Sequence, residues 1–191
     1  SGIEMKYAML LCFLLTLHPS GLPAITAEEI RRYQAPGKDG AVIFALDFDR
    51  PADTACQYPP GFSISRHEGW NGSHALANTR LSPTEYQVLS LPLSPVPPGQ
   101  KYTLRYKVRS SGLQKHGKQE NNAGIVCIEY RQDGKWHSGD YYKNPPPGPE
   151  WHEYTRTFAS KADTRLQLTF YLRPEWTGTV YYDDISVATA G

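Results

Sequence analysis

Apolar and polar residues alternate one by one over long stretches of this chain. Across Tyr102–Arg109, Tyr102, Leu104, Tyr106 and Val108 interleave with Thr103, Arg105, Lys107 and Arg109, the period of a half-buried strand. Across Arg165–Leu172 the same rule puts Leu166, Leu168, Phe170 and Leu172 on an inner face and Gln167, Thr169 and Tyr171 on an outer one. Reading the rest of the chain this way predicts strands at Val42–Phe48, Phe62–Arg66, His74–Asn78, Tyr86–Leu91, Tyr102–Arg109, Gly124–Tyr130, His152–Phe158, Leu166–Leu172 and Thr179–Val187. Between them lie Arg50–Pro51, Tyr58–Gly61, Pro95–Gly99, Asp133–Gly134 and Asn144–Pro149, where Pro fixes φ and Gly admits positive φ. Strands with one apolar face must cover it with another layer. The expected fold is therefore all-β, a two-sheet antiparallel β-sandwich of the jelly-roll kind.

Composition adjusts this picture only a little. A chain of 191 residues with 39% hydrophobic residues, 16 Gly and 16 Pro suits one turn-rich β domain. A formal charge of +1, with the basic residues dispersed, supplies no field for a nucleic acid. No internal repeat and no long helical period interrupts the strands.

The N-terminal part reads differently. Met5 and Lys6 precede the apolar run Tyr7–Leu17, the charged start and short apolar centre of a secretory signal peptide, too short to span a bilayer. Small residues at Ala24 and Ala27 offer cleavage sites, and Ala27 is preferred because Glu28–Glu29 then begins the mature chain. The expected organisation is an upstream remnant and signal over 1–27, a linker over 28–40, a β-sandwich over 41–188 and a tail over 189–191. It implies a secreted protein, extracellular or periplasmic, with no integral membrane span in the mature chain. Removing 1–27 also removes Cys12, leaving Cys56 and Cys127 as an even pair. That pair permits one disulfide; two separate buried thiols are the other reading.

The order of the pieces resembles the carbohydrate-binding modules of the family four, nine and twenty-two type. The resemblance rests on Phe48–Asp49 closing the first strand, Trp70–Asn71–Gly72 in the following loop, and the Pro98–Gly99 turn that feeds Tyr102. It continues through the Trp151-led strand to Phe158 and the closing segment Tyr181–Val187. It covers about residues 41 to 188, and its specificity lies in the order, since each piece alone is weak. The resemblance implies a polysaccharide or oligosaccharide ligand and an associated glycoside hydrolase as partner. It also implies a packing role for Trp151 and contact positions at Glu129, Gln167 and Tyr171, with Trp70 and Trp136 at the rim of the groove. It further implies structural calcium near the first and last strands, for which Asp47, Asp49 and Asp183 are the oxygen-bearing candidates.

The residues themselves suit that chemistry. Flat rings cover the apolar C–H faces of a pyranose and planar polar groups pair with its hydroxyls. Aromatic residues make up 12% of the chain, with 13 Tyr and four Trp. Trp70, Trp136 and Trp176 fall in or beside expected loops, and Trp136 and His137 share one such loop with Tyr141 and Tyr142, so that several rings could line one edge of a groove. The competing classes are a glycan-active hydrolase or lyase on a jelly roll and a protein-binding adhesion or envelope module. Glycoside hydrolysis needs two carboxyls facing across a groove, and nothing in the sequence marks any two of Glu129, Glu153 and Glu175 as such a pair.

Overall fold

A computed structural model describes residues 39–50, 58–84, 87–93, 97–118 and 121–190. The expected signal peptide, nearly all of the linker, Cys56 and Tyr86 lie outside the described residues. Among the described residues ten strands follow in chain order: β1 (Asp39–Leu46), β2 (Phe62–Ser65), β3 (Ala75–Arg80), β4 (Val88–Pro92), β5 (Lys101–Lys115), β6 (Gly124–Gln132), β7 (Lys135–Tyr141), β8 (His152–Ala159), β9 (Arg165–Leu172) and β10 (Trp176–Ala190). They form two antiparallel sheets. The first runs β2-β3-β10-β5-β8, with β1 also paired to β10; the second runs β4-β9-β6-β7.

All nine strands anticipated from alternation are present. The tenth, β7, is the departure. Its sequence, Lys135–Tyr141, carries no alternating apolar row, and the segment was expected to be a loop. It is an edge strand and borrows its regularity from β6 through a two-residue turn that pairs Gln132 with Lys135. Asp133 (φ 50°) and Gly134 (φ 76°) both adopt the left-handed backbone such a hairpin demands.

The core fills the space between the sheets. Leu76, Leu104, Tyr106, Val180, Tyr182 and Val187 face inward from the first sheet, and Leu89, Leu91, Val126, Ile128, Leu168 and Phe170 from the second. Phe170 and Tyr182 meet edge to face across the gap, with centroids 5.0 Å apart. The Tyr182 hydroxyl donates to the Ile125 carbonyl at 2.9 Å, so a buried polar tip is satisfied by the opposite sheet. Trp176, expected among the loop rings available to a ligand, opens β10 and is buried in this core.

The outer side of the first sheet is held by charge and ring contacts. The Arg109 guanidinium lies 4.3 Å from the Tyr181 ring centre and 5.5 Å from that of Trp151. It also donates to the Glu68 carbonyl at 3.1 Å and pairs with the Glu68 carboxylate. Trp151, expected to pack into the core, is half-buried on this outer side and lies outside the core cluster. These contacts latch the loop between β2 and β3 onto the sheet. Replacing Arg109 with alanine is expected to cost about 1 kcal/mol, through lost stacking more than lost charge. The expected signature is faster amide exchange at Gly69 and Ser73, with the second sheet unchanged.

Candidate functional site

Register gives the outer face of the second sheet its rows. Pro92, Gln167, Glu129 and Gly139 stand side by side across β4, β9, β6 and β7. The next row is Ser90, Thr169, Cys127 and Tyr141, and beyond it Val88, Tyr171 and Ile125. The period of two that points Leu168 and Phe170 into the core thus brings Gln167, Thr169 and Tyr171 to the same side as Glu129.

The β7 edge carries the exposed rings. Trp136 and Tyr141 are 55% and 49% exposed, and the Trp136 indole N–H donates to the Tyr141 hydroxyl at 3.1 Å. The Tyr141 hydroxyl in turn points at Glu129 Oε1, 3.4 Å away. Its ring meets Tyr171 edge to face, centroids 6.4 Å apart. Burial pushes the Glu129 carboxyl above its ordinary range, outweighing the Arg131 charge and the hydrogen bonds from Tyr141 and Thr169 that pull it down. Burial, followed by the nearby Glu129 charge, likewise raises the Tyr141 phenol.

The floor of this face is drier than its sequence implied. Gln167 and Tyr171 are each 7% exposed, and Thr169 is 2% exposed, on the row expected to meet water or ligand. Ser90 Oγ lies 3.0 Å from Thr169 Oγ1, closing the polar floor on itself. The Gln167 side-chain oxygen is buried without a hydrogen-bond partner. Cys127 is a free, buried thiol, and Cys56, its expected partner, lies outside the described residues. Burial raises that thiol, with the Glu129 and Asp140 charges adding to it.

Five of the six ligand candidates, Glu129, Trp136, Tyr141, Gln167 and Tyr171, therefore share one face. Trp70 does not. It sits in a short 3-10 turn, Trp70–Gly72, whose backbone N–H donates to Asp183 Oδ2 at 2.7 Å, and the Lys107 ammonium lies 4.6 Å from its ring centre. Asp183 and Lys107 belong to β10 and β5 of the first sheet, so Trp70 cannot rim a groove on the second. Sequence reasoning passed over Ser90 and Gly139 as parts of the face; the Asp133–Gly134 hairpin signal, followed into β7, would have located Gly139.

The expected calcium ligands do not converge. Asp47 Oδ1 accepts the Asp49 amide at 3.1 Å and lies 3.7 Å from Arg50 Nε. Asp49 Oδ1 accepts the His74 amide at 2.9 Å and lies 2.7 Å from His74 Nδ1. Asp183 takes the Trp70 and Asp184 amides and the Ser73 hydroxyl at 2.7, 2.7 and 2.9 Å, and burial raises its carboxyl to about 6. Among the described residues, no three His, Cys, Asp or Glu side chains are gathered so as to hold a metal ion. Asp47, Asp49 and Asp183 each accept at least one loop amide.

Among the described residues no helix is long and apolar enough to cross a membrane. No protein-family model and no curated protein matches the chain. Solved structures do. The CBM22-1 xylan-binding domain of Paenibacillus barcinonensis Xyn10C superposes with a TM-score of 0.56 at 13% identity, over 81% of this chain and 97% of that one. The CBM22-1–GH10 modules of Clostridium thermocellum Xyn10B, complexed with xylohexaose, superpose with a TM-score of 0.58 at 14% identity, over 80% of this chain and 29% of that one. The enzymatically active domain of bacteriophage CBA120 tailspike protein 4 superposes with a TM-score of 0.52 at 10% identity, over 67% of this chain and 17% of that one. At these identities the likeness is one of fold: the chain has the jelly-roll sandwich of carbohydrate-binding modules.

Proposed function

We propose that this chain is a secreted, non-catalytic module that binds a neutral polysaccharide on the outer face of its second sheet. The observation that carries the reading is the Trp136–Tyr141–Glu129 chain: two half-exposed rings joined by a hydrogen bond and leading to one partly buried carboxylate. Rings of this kind stack on the apolar faces of pyranoses, and a carboxylate accepts from hydroxyls more strongly than a neutral oxygen does. The neighbours of similar fold support a xylan-like β-linked chain as the ligand, since one is a xylan-binding domain and another was solved with xylohexaose. An associated glycoside hydrolase is part of the same reading, because the second neighbour joins its module to a catalytic one.

Affinity electrophoresis in gels containing xylan, cellulose derivatives, mixed-linkage glucan or polyuronate tests this directly. Retardation by a neutral β-linked polysaccharide, with no release of reducing ends, is the expected result. Release of oligosaccharides would instead favour catalysis, which the tailspike neighbour's fold also accommodates. Binding to none of the glycans would remove the proposal.

The state of Glu129 gives the reading a pH dependence. Its carboxyl is held above the ordinary carboxylate range by burial, so it gains a proton at a higher pH than a solvated Glu as the solution is acidified. Retention that needs the carboxylate as acceptor is present at neutral pH and lost as pH falls through that raised value. The stability linkage has the opposite sense: the contribution of Glu129 to folding is greatest below its unfolded pKa and declines as pH rises through the folded one. Glu129→Gln is expected to weaken binding at pH 7 and flatten its profile between pH 4 and 7. An unchanged profile in the variant would show that another group titrates.

A further inference from the structure

Both tyrosines of this face lie over glycines. Gly139 precedes Tyr141 by two residues, so the two positions share one side of β7, and Gly139 is paired in register with Glu129 on β6. A Cβ at position 139 would come within 2.4 Å of Tyr141 Cε2, 2.8 Å of Cζ and 3.1 Å of the hydroxyl. Side chains on a strand ordinarily stand up from the sheet; this ring lies down along its own strand, across a bare Cα. In that pose its hydroxyl comes to 3.4 Å from Glu129 and 3.1 Å from the Trp136 indole nitrogen.

Gly139 is not one of the positive-φ glycines, so its backbone does not require glycine. The overlying ring does. The Tyr171 ring has the same relation to Gly124, where a Cβ would come within 2.5 Å of Tyr171 Cε2. There the backbone gives a second reason for glycine, because φ is +87°. Gly139 is the position at which the seat can be tested without backbone strain.

We propose that Gly139 is a positioning residue for saccharide binding: its missing side chain lets Tyr141 lie flat as a platform whose hydroxyl is held between Trp136 and the Glu129 carboxylate. The inference rests on the saccharide reading given above and adds what sets the platform's height and tilt. A pyranose stacked on the upper face of Tyr141 brings its hydroxyl edge to Glu129, in register with the seat. A methyl group at 139 lifts the ring, separates the hydroxyl from both partners and spoils stacking and hydroxyl pairing together. The atoms that would collide are the far end of a rotatable side chain, so the ring yields and the sheet does not.

The test compares Gly139→Ala, Tyr141→Phe, Tyr141→Ala and the double variant Gly139→Ala with Tyr141→Ala. Its first readout needs no ligand: the Trp136 component of the fluorescence and its quenching by iodide, isolated by subtracting the signal of a Trp136→Phe background. Gly139→Ala is expected to shift that component in the direction of Tyr141→Phe, where the acceptor hydroxyl is gone; a component identical to wild type overturns the proposal. The second readout is affinity for whichever polysaccharide retards the wild type. A loss of about tenfold is expected for Gly139→Ala, the scale of a displaced interface aromatic, with no further loss when it is added to Tyr141→Ala. Losses that add in the double variant overturn the proposal and leave the saccharide reading standing. Wild-type protein that binds no polysaccharide defeats that reading, and the fluorescence comparison then decides the ring seat alone. Should Gly139→Ala fail to fold, the double variant decides: folding restored by removing the ring places the collision at Tyr141, and continued failure overturns the proposal.

Discussion

Replacing Phe170 with alanine is expected to destabilise the fold by about 3–5 kcal/mol, the largest effect of any single truncation considered, with a fall in thermal midpoint on the order of 10 °C. Phe170 is fully buried on β9, paired in register with Leu89 on β4 and Val126 on β6, and its ring meets Tyr182 across the gap between the sheets. Truncation removes the ring's transfer free energy and leaves a cavity. Three surrounding strands are tied to one another by backbone hydrogen bonds, so the cavity cannot collapse freely. It also strips Tyr182 of its edge-to-face partner. Because total stability of a domain is about 5–15 kcal/mol, such a loss is a large share of it. Urea denaturation of the variant measures it. A change below 1 kcal/mol would mean that the sheets close over the gap and that the inter-sheet packing is looser than described.

Phe170 also marks what the sequence makes legible. Alternation over Arg165–Leu172 identifies its inward face and assigns Gln167, Thr169 and Tyr171 to the other, because successive side chains on a strand point to opposite sides. Strand existence and face follow from that local rule wherever one face is buried. β7 escapes it. As an edge strand it is stabilised by its ladder to β6 and carries no apolar row, so its only local trace is the Asp133–Gly134 turn. Since β7 supplies Trp136, Gly139 and Tyr141, the strand hardest to read is the one that builds the exposed edge of the site.

Which strands become neighbours is a longer-range matter. Glu129 and Gln167 could be expected on one face only if β6 and β9 pair, and they do, in register. Trp70 shows the limit of sequence order as a guide: it has the loop position and exposure expected of a rim residue, yet the loop's amide is claimed by Asp183 and its ring by Lys107 on the other sheet. Asp183 shows a second limit. Alternation indicates that one of Asp183 and Asp184 must turn inward, and an inward carboxylate needs partners. A cation and a set of loop donors both meet that need, and alternation does not distinguish them; the carboxylate accepts from the Trp70 and Asp184 amides and the Ser73 hydroxyl. The buried state of Gln167 and Thr169 was likewise illegible, since period two states which way a side chain points but not what covers it.

Truncating Tyr141 to alanine is expected to weaken polysaccharide binding by about tenfold or more, and removing Trp136 as well to abolish retardation at concentrations where the wild type is held. Both rings are half-exposed, so neither truncation opens a core cavity, and thermal stability is expected to change little. The two losses are not expected to add. Trp136 donates to the Tyr141 hydroxyl, so either truncation already loosens the other ring, and residues joined this way couple. Tyr141→Phe separates the two contributions of the residue: the stacking surface remains while the hydroxyl that faces Glu129 is lost, and a smaller loss of a few-fold is expected. Trp70→Ala serves as the control, since that ring is also exposed to solvent but sits with Lys107 and Asp183 on the opposite sheet. Unchanged retention in Trp70→Ala beside lost retention in Tyr141→Ala places the ligand on the second sheet. The reverse pattern would move the binding surface to the β2–β3 loop and leave the Trp136–Tyr141–Glu129 chain as an edge brace for β7.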